Sequence, residues 1–251
     1  MKMVLLTALG VGGATVFGSV LGFLFKKISH KFSDIVLSFA AGVMLCAAVT
    51  GLIVPSLEYQ SFSPLLITVL GVLCGALFLN VLDKLVPHLH RLAGVEQESH
   101  PDSASKLNKV LLFVMAIAIH NLPEGIAAGV GFGSGNNAQA ITIAAGIALQ
   151  NIPEGMVIIG PMLAAGMRPG RTFLCALMTG VVEVLGTLLG YFAVSISTTV
   201  LPFALAFAGG TMLYVISDEM IPETHHSETR GVTYALLIGF CLMLAMDYLL
   251  G

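Results

Sequence analysis

Three glutamates stand out in this sequence, because each lies deep in an apolar stretch. Glu124 belongs to HNLPEG, which starts at His120, and Glu154 to QNIPEG, which starts at Gln150, the same pattern thirty residues later. Glu183 stands by itself in TGVVEVLGT. On a helix of about 3.6 residues per turn, His120, Asn121 and Glu124 project from neighbouring positions on one face. Gln150, Asn151 and Glu154 repeat that triangle on the next helix. Two such triangles, opposed at one depth, would enclose an ion between them.

The chemistry follows from the expense of the acids. A charged carboxylate at the centre of a bilayer costs about 2.5–3.5 kcal/mol even on the mildest scale, taking Asp as the measure. Mutual repulsion raises that cost, so at least some of the three acids must be protonated or share cations. No Lys or Arg sits deep in these stretches to neutralise them. Histidine nitrogen with carboxylate oxygen is a zinc ligand set, and bridging glutamates would hold two cations side by side. The amides of Asn121, Asn151 and Gln150 add weaker oxygen donors, a mixture that suits a carrier, which must release its ion. Pro123 and Pro153 remove the backbone bonds that the carbonyls of Ile119 and Leu149 would accept, opening each helix toward the site. Gly125 and Gly155 leave room there for a close approach. In lipid, such breaks survive only where they are buried in protein or line a cavity.

The elements that carry these residues are membrane spans. The chain is 57% hydrophobic and 10% charged, with a mean hydropathy of +0.95, against roughly 25% charged residues in a soluble domain. Apolar stretches lie near 3–25, 34–54, 64–82, 108–131, 138–166, 170–194, 200–221 and 231–250, most of them near the ~20 residues that cross a bilayer. We therefore expect eight transmembrane helices in a single domain, residues 1–251. The first stretch follows one Lys and shows no small-residue cleavage site, so it is expected to stay as a helix. Ten of the eleven Lys and Arg residues fall after spans one, three, five and seven, which places those loops in the cytoplasm and both termini outside. The longest polar interruption, about 83–107, is then a cytoplasmic loop.

The duplicated motif lies in adjacent spans that run in opposite directions. A fainter echo links AAGVML and VPSLE, ending at Glu58, to AGGTML and IPE, ending at Glu223. Five spans separate these, an odd offset that inverts the topology, so the fold class expected is an all-α integral membrane bundle built as an inverted repeat. That architecture puts its site near the bilayer midplane. Glycines spaced as G-x-x-x-G, such as Gly125 with Gly129 and Gly186 with Gly190, let helix backbones approach closely. Cys46, Cys74, Cys175 and Cys241 fall far apart inside spans and read as buried small hydrophobes. Nothing in the charge pattern points to nucleic acid.

HNLPEG and QNIPEG in adjacent helices of an eight-span chain resemble the signature of the ZIP family of zinc and iron transporters, and the resemblance covers essentially the whole chain. DKLVPHLH from Asp83 and SDEMIPETH from Ser217 resemble its GufA-like branch. The resemblance implies a 3+2+3 arrangement of helices with a binuclear metal centre between spans four and five. By it, His120, Glu124, Gln150 and Glu154 hold one metal, with Met44 as a further soft ligand, although a Met in an apolar span also serves as packing. Asn121, Glu124, Asn151, Glu154 and Glu183 hold the second. Many relatives have His where this chain has Gln150 and near the position of Gly51, so cadmium, iron or manganese join zinc as expected cargo.

The family relationship further implies transport into the cytoplasm by alternating access, with Glu58 collecting ions outside. His88, His90, His225 and His226 either receive them inside or are solvated loop histidines. The expected partners are divalent metal ions and the lipid bilayer, with a homodimer left open, and the expected location is the plasma membrane. No organic cofactor and no ATP-binding loop are expected. Two other classes compete: a membrane-embedded metalloenzyme, which lacks H-E-x-x-H, and a proton or monovalent-cation pathway on the same carboxylates.

Overall fold

The computed structural model describes residues 1–25, 29–59, 62–85, 118–132, 135, 137–164, 166–196, 198–225 and 230–250, without the side chains of 83–85, 196 and 198. Among them there is no strand. The helices are α1 Lys2–Leu24, α2 His30–Glu58, α3 Pro64–Leu85, α4 118–131, α5 Asn137–Ala164, α6 Pro169–Ile196, α7 Leu201–Thr224 and α8 Arg230–Leu250. All but α4 are long and apolar enough, within the described residues, to cross a membrane. The described part of α4 begins at Ala118, so the rest of the apolar stretch expected at 108–131 and most of the 83–107 loop, with His88 and His90, lie outside the described residues. Helix α3 continues through Leu85, beyond the end of its apolar stretch.

Large apolar side chains cover the outer faces, for example Leu6, Leu9, Leu65, Leu73, Leu77 and Leu249. A water-soluble chain would bury such residues; lipid is the solvent they suit. Inside, Met44, Leu52, Ile143, Ile147, Leu205 and Met212 form one apolar cluster shared by α2, α5 and α7.

The inverted repeat is visible in which helices pair. Helix α3 lies along α7, and α8 lies along α2, the same contact twice if α2 corresponds to α7 and α3 to α8. Helix α1 lies along α5, while Gly125 and Gly129 of α4 face the carbonyls of Glu183 and Thr187 on α6. This too is one contact made twice. Helices α2 and α7 even share their irregularity. Each widens to a π turn, Ala47–Ile53 in α2 and Ile216–Met220 in α7, just before a proline, Pro55 or Pro222. The amides of Val54 and Ile221 reach back five residues, to the carbonyls of Val49 and Ile216. A proline ring clashes with the carbonyl four residues earlier, and a π turn takes up that clash without ending the helix. The echo between VPSLE and IPE is thus a shared backbone solution.

Candidate metal centre

Three helices present the acids. Glu124 on α4 and Glu183 on α6 are fully buried, at 1% and 0% exposure, while Glu154 on α5 is partly covered. Helix α4 reaches α6 because Gly125, next to Glu124, rests on the backbone of Glu183 itself. A Cβ at residue 125 would collide with that carbonyl, so the glycine sets how near the two acids come. The three carboxyls are close enough to act on one another electrostatically.

Amides tie this group together. Gln150 Nε2 donates to Glu124 Oε1 at 2.9 Å, and Asn151 Nδ2 donates to Glu183 Oε1 at 2.6 Å. Asn151 Nδ2 also donates to the carbonyl of Val11 on α1 at 3.2 Å, and Thr15 of α1 donates to Glu183 Oε2 at 2.7 Å. No hydrogen bond or ion pair to the three acids, among the described residues, comes from Lys or Arg. Each amide thus turns its nitrogen to an acid.

The leftovers form a set. The buried polar side-chain atoms without a hydrogen-bond partner, among the described residues, are His120 Nε2, Glu124 Oε2, Gln150 Oε1, Asn151 Oδ1 and Glu154 Oε1. Each such atom costs about 1–3 kcal/mol when left dry, and native proteins rarely collect several in one place. All of these come from the duplicated motif. One is a nitrogen and four are oxygens, donors of the kind that bind zinc and other divalent transition metals. No three His, Cys, Asp or Glu side chains among the described residues converge in ligating geometry; Gln150 and Asn151 lie between the acids, each bonded to one of them.

His120 sits at the edge of this group, with 17% of its side chain exposed. Its Nε2 lies 2.8 Å from Glu219 Oε1 on the π turn of α7, within ion-pair range but off the hydrogen-bond direction. Asn121 is buried on α4. Met44 is fully buried within the apolar cluster, among Ala127 and Ala128 of α4 and Ile147 of α5, each about one turn from a motif residue. The structure does not bring Glu58 or His225 to the acids. Glu58 is exposed at the end of α2, and His225 is exposed beyond α7 with Nδ1 2.9 Å from the carbonyl of Ile221. His226 lies outside the described residues.

The sequence reading missed Glu219, Thr15 and the Val11 carbonyl. Glu219 lay within SDEMIPETH, and its polarity at the inner end of an apolar span was a usable signal. Thr15 carried no such signal, because a threonine is ordinary in a transmembrane helix.

The family model described as "ZIP Zinc transporter" matches residues 88–247. The chain is 40% identical to the zinc transporter GufA of Myxococcus xanthus, over 98% of both proteins. It is 36% identical to the zinc transporter ZIPB of Bordetella bronchiseptica, over 95% of this chain and 78% of that one. With the zinc transporter ZupT of Chlorobaculum parvum it shares 32% identity, over 95% of this chain and 94% of its relative.

Proposed function

That this chain belongs to the ZIP family of zinc transporters is the premise from which we propose that it moves zinc into the cytoplasm through a binuclear site between α4 and α5. It is a multi-pass membrane protein, and zinc is its substrate rather than a resident cofactor. In this reading one ion is held by His120, Glu124, Gln150 and Glu154, with Met44 in reach, and a second by Asn121, Glu124, Asn151, Glu154 and Glu183. Cadmium, iron and manganese share the pathway, because the donors are mostly oxygen and Gln150 replaces a nitrogen ligand.

The observation that carries this reading is the set of buried side-chain atoms without a hydrogen-bond partner, among the described residues, at His120, Glu124, Gln150, Asn151 and Glu154. Two bound transition-metal ions would satisfy these donors between them and offset the charge of acids that, among the described residues, no Lys or Arg contacts. Weak amide ligands keep the site from becoming a trap. Alternating access then releases the ion past His120 and Glu219, which touch where α4 meets the π turn of α7. The contact is partly exposed and makes no hydrogen bond, so it is free to open.

Purified protein in sealed liposomes tests the proposal. Zinc should accumulate with no other substrate present, and uptake should be lost when His120 is replaced by Ala. A membrane metalloenzyme would bind zinc without flux. A proton or monovalent-cation pathway would keep its current in the His120→Ala variant with metal chelated.

A further inference from the structure

Helix α1 contributes no residue to the ligand sets above, yet it touches the site in two places. Thr15, 2% exposed, donates its hydroxyl to Glu183 Oε2 at 2.7 Å. The Val11 carbonyl accepts from Asn151 Nδ2, whose other contact is Glu183 Oε1. With the amide nitrogen set between two acceptors, Asn151 cannot turn over without placing its oxygen against both. Its Oδ1 therefore stays free and unpartnered.

The position of Thr15 is not arbitrary. Gly12, Thr15, Gly18, Ser19 and Gly22 of α1 have the same spacing as Gly180, Glu183, Gly186, Thr187 and Gly190 of α6. The contacts match as well. Gly12 and Gly180 each face the other's carbonyl, Gly18 faces the Ile152 carbonyl of α5, and Gly186 faces the Leu122 carbonyl of α4. Ser19 Oγ bonds the Thr15 carbonyl at 2.9 Å, and Thr187 Oγ1 bonds the Glu183 carbonyl at 2.9 Å. Thr15 is thus the inverted-repeat mate of Glu183, and the two side chains meet each other. An acid at both positions would add a fourth charge to three that already repel. The hydroxyl instead gives the existing acid a donor, and its β-branched side chain is stiff at χ1, which suits a fixed contact.

We propose that Thr15 and the Val11 carbonyl are positioning groups for the transported metal: α1 holds Glu183 and Asn151 so that their oxygens face the ion. This rests on the site proposed above. Loss of the Thr15 hydroxyl frees Glu183 to rotate and leaves Oε2 buried without a donor, so ion affinity falls while the conformational cycle is left intact. The mark of such a role is a change in KM rather than in maximal rate, rescued by any side chain that keeps the hydroxyl.

The experiment measures zinc uptake against zinc concentration in liposomes for wild type, Thr15→Val, Thr15→Ser and Glu183→Gln. Thr15→Val should raise KM roughly tenfold, the scale of one hydrogen bond to a charged group, with Thr15→Ser within about twofold of wild type. Thr15→Ala replaces Thr15→Val if the latter is not recovered as monodisperse protein. A wild-type KM without the hydroxyl overturns the proposal, and so does equal impairment of the Val and Ser variants, which would mean that only packing was lost. Wild-type uptake by Glu183→Gln would sink the role of Glu183 in the metal site itself. A dead Glu183→Gln beside a normal Thr15→Val removes only the part given to α1.

Discussion

Replacing Gly155 by Ala should push α1 and α5 apart, and the size of the effect follows from what lies in the way. A Cβ at residue 155 would collide with the Thr15 carbonyl and crowd the Ser19 amide. Both obstacles are helical backbone, so neither can rotate aside as a side chain would. Forcing a methyl group into such an interface costs about 1–3 kcal/mol. Against it stands the better helix propensity of Ala, worth about 0.8–1.0 kcal/mol over Gly. Gly13 on α1 isolates the two terms, because nothing lies within 4 Å of a Cβ there. Gly13→Ala should keep the propensity gain and meet no collision. The difference between the two variants then measures the collision, on the order of 1–3 kcal/mol or about 5- to 150-fold in the folding equilibrium. In purified, detergent-solubilised protein that is a gap in Tm on the order of 5 °C. Uptake assays add a second reading, since a displaced α1 carries Thr15 away from Glu183 and raises the zinc KM of Gly155→Ala alone. Equal melting temperatures and equal KM values for the two variants would refute the close α1–α5 contact and the geometry drawn from it.

Glu154→Gln keeps the shape of the side chain and removes a charge assigned to both ions, so liposomal zinc uptake should fall by more than about 100-fold; retained uptake would exclude Glu154 as a ligand. Lowering the pH from about 7.5 to about 5.5 should slow zinc uptake, because protons compete with metal for the carboxylates. A rate that stays level across that range counts against carboxylate coordination. Met44→Leu conserves volume, so it should change stability by less than about 1.5 kcal/mol. If the thioether is a soft ligand, the same variant lowers cadmium uptake relative to manganese, and an unchanged ratio would leave Met44 as packing.

Much of this protein was legible before any coordinates. Hydropathy marked the spans because each must match the thickness of the same oily layer, and the duplicated HNLPEG and QNIPEG pointed to the candidate site because acids in lipid are too costly to be incidental. The echo between VPSLE and IPE was readable as an inverted repeat, although not as a pair of π turns, since the proline is visible in sequence and the relaxation of the turn before it is not. What the tertiary structure decided was partnership. That Thr15 meets Glu183, 168 positions away, that Asn151 shares its nitrogen between Glu183 and the Val11 carbonyl, and that Glu219 reaches His120 depend on how helices lie against one another. In lipid that arrangement is set by glycines and close backbone contact. A glycine shows where a neighbour is able to approach, and it says nothing about which neighbour comes.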